Sequence, residues 1–143
     1  FDAGPWPLGR MITPTLAGTR PGGAIAAAWA VMQHLGVEGY RQKQGEVTQA
    51  REKIEAGVRK LGFEVLGKPQ LGIVSFAHPK VDALRVYAQM HHRGWFTAAL
   101  VDPRALHLML SPKHNEVAHE YLADLEASLG AVTDEQFASK YAG

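Results

Sequence analysis

Thr13-Pro14-Thr15-Leu16-Ala17-Gly18-Thr19-Arg20-Pro21-Gly22-Gly23 gathers three hydroxyls and a guanidinium on one short stretch that runs into an alanine-rich segment. Pro14 and Pro21 fix φ and remove donors, while Gly18, Gly22 and Gly23 admit positive φ or close backbone approach. The stretch is therefore neither helix nor ladder strand. Hydroxyls, a guanidinium and free amides at a helix start suit an anionic group, because unpaired N–H groups and the helix dipole both point at it. A loop that merely caps the following helix is the competing reading. Elsewhere, His107 lies inside the apolar run Leu106 to Leu110, either as a core histidine with one satisfied hydrogen bond or as a group that meets substrate. His114 and His119 bracket Glu116 but are five apart, so they do not share a helix face as a zinc-binding pair would, and no metal site is expected.

The opening stretch resembles the Ser/Thr-Pro-Thr-(Ile/Leu)-Ala-Gly-(Ser/Thr)-Arg-Pro-Gly-Gly segment of sphingosine-1-phosphate lyases. These are pyridoxal 5'-phosphate (PLP) enzymes of the group II decarboxylase superfamily. The likeness continues through Ala24 to Met32, His34-Leu35-Gly36 and Glu38-Gly39-Tyr40. Weaker echoes follow at Gly67 to Leu71, at Arg93-Gly94-Trp95 and at Leu106-His107-Leu108.

Several expectations follow from that resemblance. It implies a C-terminal fragment, whose parent carries a large N-terminal domain with the Schiff-base lysine just upstream of the Pro/Gly-rich run. None of the seven lysines, Lys43, Lys53, Lys60, Lys68, Lys80, Lys113 and Lys140, follows a histidine as the family's lysine does. The chain alone is thus expected to hold no catalytic residue and to be inactive. Thr19 matches the hydroxyl that reaches toward the partner subunit's PLP phosphate, which makes Gly18, Thr19 and Arg20 the cofactor-binding candidates and implies a homodimer. Arg20 pairs with the anion or ties the loop to a local carboxylate or carbonyls. Met11 and His107 are the substrate-binding candidates. Met11 stands where the lyases commonly carry tyrosine, and a thioether is no proton donor. His107 stands where decarboxylase relatives place a carboxylate-binding arginine, which favours a phosphorylated amino-alcohol, a lipid phosphate, over an amino acid. Three functions remain open: a carbon–carbon (aldehyde) lyase on a phosphorylated long-chain base, an amino-acid decarboxylase, and a non-catalytic binding or assembly domain.

The elements that must position these residues are legible from periodicity. At 143 residues with 46% hydrophobic content, the chain can bury one core. A net charge of +1 and no basic stripe argue against nucleic acid binding. Cysteine is absent, which excludes thiolate chemistry and disulfides within these residues. No apolar run is long enough to span a bilayer, and a cytoplasmic location is expected, with membrane association of the full-length protein left open.

Residues 1–21 read as an irregular interface arm, 22–61 as two connecting helices broken at Gly36 and stopped by Gly62, and 62–143 as a small α+β domain. Helix 37–61 turns Val47, Ala50, Ile54, Val58 and Leu61 to one side. Strands are predicted at 63–66, 73–76, 95–100 and 106–110, and helices at 81–92 and 115–129. Val81, Leu84, Tyr87 or Ala88 and His91 would face inward on the first of these, and Val117, Tyr121, Leu122, Leu125 and Leu129 on the second. Thr133 to Gln136 is a capping box for a last short helix. The sum is a four-stranded sheet with helices mainly on one face. That is also the small C-terminal domain that the resemblance implies for a fold-type-I, aspartate-aminotransferase-like PLP enzyme.

Overall fold

The computed structural model describes every residue except 1, 3, 6, 8, 11, 13–16 and 134–143. Met11 and the greater part of the predicted capping box lie outside the described residues. The chain divides into two units, Phe1–Val37 and Glu38–Gly143.

Helix α1 (Gly22–Lys60) crosses that division and is two helices meeting at Gly36, whose φ of 58° and ψ of −174° are not helical. Only glycine adopts such a backbone without strain, so the predicted break is real. In the first unit the alanine-rich half of α1 exposes Ile25, Trp29, Val31 and Met32. In the second unit Ala50, Ile54 and Val58 of α1 are buried, at the three- and four-residue steps expected of one helical face.

Four strands follow: β1 (Glu64–Val65), β2 (Ile73–Ala77), β3 (Ala98–Val101) and β4 (Arg104–Met109), with α2 (Ala83–His92) between β2 and β3 and α3 (His114–Thr133) at the end. Every pairing is antiparallel, and the sheet order is β1-β2-β4-β3. Val74 lies opposite Leu108, and Phe76 opposite Leu106. These four side chains are buried together with Ile54 and Val58 of α1, Val86 and Met90 of α2, and Tyr121 and Leu125 of α3. One face of the sheet thus carries the helices. The alternate residues Ile73 and Met109 are exposed, so the other face is open.

The predicted stop at Gly62, and Gly94 after α2, close their helices by the same device. Gly62 N donates to Arg59 O and Phe63 N to Val58 O, while Gly94 N donates to His91 O and Trp95 N to Met90 O. Gly62 and Gly94 have φ of 85° and 90°. These are Schellman motifs, which satisfy the last helical carbonyls and need a left-handed residue. They also explain two corrections. Phe63 and Trp95, predicted as first residues of strands, have their amides committed to helix ends, so β1 starts at Glu64 and β3 at Ala98. A further correction concerns α2. Its buried residues are Ala83, Val86, Gln89 and Met90 rather than the predicted face, and His91 is exposed. Asp82 caps the helix, so the first turn begins two residues later than predicted. In α3, Tyr121 and Leu125 are buried as expected, and Ala118 and Ser128 join them.

Candidate functional site

The first group of predicted site residues sits just before α1. Gly18, Thr19 and Arg20 are exposed, and the helix begins at Gly22 with no acidic side chain in its first turn. Neither the Thr19 hydroxyl nor the Arg20 guanidinium has a partner among the described residues. The alternative in which Arg20 ties the loop to a local carboxylate therefore finds no support among those residues. The loop presents a hydroxyl, a cation and the free amides of a helix start with no internal carboxylate competing for them. An anion is what this donor set can bind.

Glycine's expected backbone role at this loop is not observed. Gly18, Gly22 and Gly23 take no positive φ, and a Cβ built on each meets nothing within 4 Å. Nothing within the described chain demands glycine there, because the segment is solvent-exposed and no neighbour crowds it.

The second group sits on the open face of the sheet. Strand alternation sends Val74 and Phe76 into the core and Ser75 to the other side, and the same alternation on β4 places His107 beside it. The register pairs Ser75 with His107, and Ser75 Oγ lies 2.9 Å from His107 Nδ1. Both residues are half-buried. The competing expectation of a core histidine is thus corrected. His107 alternates with buried Leu106 and Leu108 and faces away from the core because the strand period is two. Ser75 borders a groove of about 450 Å³ whose walls include Leu66, Leu71 and Ile73, with Lys68 at its edge. Arg51 holds the loop that forms the wall. Its Nη1 donates to Pro69 O at 3.1 Å, and its Nε lies 3.1 Å from Glu55 Oε1. Ser75 was missed in the sequence. Its only signal was parity with His107, which becomes visible once the register of two strands far apart in the chain is known.

The remaining candidates play structural parts. His114 Nδ1 accepts from Ser111 N at 2.9 Å at the start of α3. Trp95 Nε1 donates to Asp124 Oδ2 at 2.7 Å, and its ring meets Tyr121 edge-on at 5.1 Å. The six lysines among the described residues are all exposed. The loop group and the sheet group belong to different units of the chain.

Comparison with known proteins gives this geometry a context. No protein-family model matches the chain. A sphingosine-1-phosphate lyase of Oryza sativa subsp. japonica is 38% identical over 128 residues, covering 89% of this chain and 24% of the rice protein. The solved sphingosine-1-phosphate lyase of Burkholderia pseudomallei K96243 matches with a TM-score of 0.80 and 32% identity, covering 92% of this chain and 30% of that one. The chain is similar to the C-terminal part of sphingosine-1-phosphate lyases. A probable L-tyrosine/L-aspartate decarboxylase of Methanosarcina acetivorans is 42% identical over 113 residues, covering 78% of this chain and 27% of that protein. The chain spans about a quarter of the length of these two curated relatives. The α+β fold, with its four-stranded sheet and helices on one face, is that of the C-terminal region of fold-type-I PLP enzymes. No helix among the described residues is long and apolar enough to cross a membrane.

Proposed function

We propose that this chain is the C-terminal portion of a PLP-dependent carbon–carbon lyase that cleaves a phosphorylated long-chain base to a fatty aldehyde and phosphoethanolamine. The observation that carries the reading is the match of 92% of the chain to a solved sphingosine-1-phosphate lyase at a TM-score of 0.80. The working enzyme is a homodimer in the cytoplasm, built from an N-terminal large domain, the interface arm 1–21, the connecting helices 22–61 and the small domain 62–143. When bound, PLP supplies an electron sink for the electrons of the breaking bond.

The residues present fit one end of that cofactor. Gly18, Thr19 and Arg20 would hold its phosphate in the neighbouring subunit, through a hydroxyl, a guanidinium and backbone amides that no described carboxylate engages. The reactive amine would come from the large N-terminal domain, since no lysine here follows a histidine as the family's lysine does. His107 would face the substrate where a decarboxylase uses arginine. Met11 is a further substrate-binding candidate, and its thioether is no proton donor.

A second reading, an amino-acid decarboxylase, draws on the 42% identity to the archaeal protein. The full-length parent separates the two: aldehyde release from a phosphorylated long-chain base supports the lyase, and carbon dioxide release from an amino acid supports the decarboxylase. Replacing Thr19 by Ala in that parent should weaken PLP binding about tenfold, the order of one charge-assisted hydrogen bond. Unchanged PLP affinity would remove Thr19 from the cofactor site. The 143-residue chain alone should serve as an assembly domain without catalysis, and a PLP absorbance band near the visible edge from it would contradict this.

A further inference from the structure

We infer that Ser75 is a positioning residue that keeps His107 Nε2 a hydrogen-bond donor toward an anionic oxygen at the open face of the sheet. This deepens the functional reading above and rests on it for the identity of the anion's carrier. The Ser75 Oγ···His107 Nδ1 contact of 2.9 Å joins facing residues of β2 and β4. His107 Nδ1 is the sole partner that Ser75 Oγ has among the described residues. Among the described residues the acceptor within reach of the Ser75 hydroxyl proton is that ring nitrogen, and the inference assigns the proton to this contact. Donation to Nδ1 places the proton of the neutral ring on Nε2. When the ring is protonated, Nδ1–H donates to Oγ, and Nε2 still carries its hydrogen. Nε2 is therefore a donor in either charge state. No partner for Nε2 is found among the described residues, and His107 is half-buried rather than buried.

The surroundings favour an anion as its acceptor. Lys68 and Gln70 line the groove that Ser75 borders, together with the apolar Leu66, Leu71 and Ile73. No carboxylate lines that groove. An unfixed imidazole would exchange tautomers and spend part of its time with a lone pair toward the anion, which repels it. Ser75 removes that state. Either a phosphate or a carboxylate supplies the same oxygen chemistry, and the two are separated by the probes below.

The test reads the tautomer directly by nitrogen-15 NMR of the 143-residue chain, at a pH where the ring is neutral. The wild type should show the Nε2–H form. Ser75→Ala and Ser75→Val, the second suited to a strand and so a safeguard against misfolding, should show a mixture. Ser75→Thr should restore the Nε2–H form. Inorganic phosphate and acetate are then titrated separately, following the His107 Nε2 resonance. The inference expects one of them to move it, with apparent affinity about three- to tenfold weaker in Ser75→Ala, the worth of one neutral hydrogen bond. In the full-length parent, Ser75→Ala should raise KM by a similar about three- to tenfold with kcat little changed, and Ser75→Thr should reverse it. A wild-type Nδ1–H tautomer, an unaltered tautomer in both hydroxyl-free variants, a resonance blind to both anions, or an unchanged KM would each overturn the inference. A parent that releases neither aldehyde nor carbon dioxide would sink the functional reading while leaving the tautomer result standing.

Discussion

Asp82 links two elements through its two carboxylate oxygens. Oδ1 accepts from Leu84 N at 2.9 Å, which caps α2, and Oδ2 accepts from Arg104 Nη1 at 2.6 Å, which joins the start of β4. Asp82→Ala should cost about 1 kcal/mol, almost all of it from the lost cap, because a largely exposed ion pair contributes little. Asp82→Asn keeps the cap and should recover most of that loss. Urea denaturation of the two variants checks the order, and an Asp82→Ala chain as stable as the wild type would refute the capping role. The predicted start of this helix at Val81 overlooked the cap. Aspartate competes for nearby backbone donors, and that competition delays the first helical turn. His107 shows the opposite case, a residue whose type was informative and whose direction was not. Its run, Leu106 to Leu110, is apolar enough to be core throughout, and only the pleat decides which members leave it.

Glycines decide how closely the elements approach, and two of them show opposite cases. A Cβ on Gly72 would lie 2.6 Å from Val47 Cγ1 on α1 and 3.0 Å from the Leu110 carbonyl oxygen, while Gly72 O accepts from Leu110 N at 2.6 Å. Backbone cannot yield as a side-chain tip can, so Gly72→Ala should destabilise by about 1–3 kcal/mol. Gly45 lies within α1 with nothing within 4 Å of its Cβ direction. Gly45→Ala should stabilise by about 0.5–1 kcal/mol through the helix preference of alanine. Denaturant midpoints that moved the other way for either variant would contradict this account. Gly36 and Gly62 were legible as breaks because each follows a helical run. The consequence of the Schellman caps at Gly62 and Gly94 was not legible: the caps consume Phe63 and Trp95, which leaves their amides out of the strands.

Across the whole molecule the core sets one clear response to pH. Burial pushes the Tyr121 hydroxyl up to about 12, and its 3.4 Å contact with Thr97 Oγ1 offsets this only in part. Below pH 10 the folded and unfolded chains both hold that proton, so the contribution to stability is flat. Between about pH 10 and 12 the unfolded chain releases the proton and the folded chain keeps it, so stability falls with rising pH by up to about 3 kcal/mol. Tyr121→Phe should flatten the fall, measured as urea midpoints across that range, and an equally steep fall in the variant would exclude Tyr121 as the cause. The sequence by itself determined the α+β class, the buried faces of α1 and α3, and the break at Gly36 and stop at Gly62. These depend on local spacing and on residue types that act within a turn or two of the chain. The tertiary structure alone decided that β4 enters the sheet between β2 and β3. That insertion brings Ser75 to His107 across 32 residues. Register between distant strands is fixed by burying Val74 and Phe76 against Leu108 and Leu106, a condition on the whole core that no local pattern encodes.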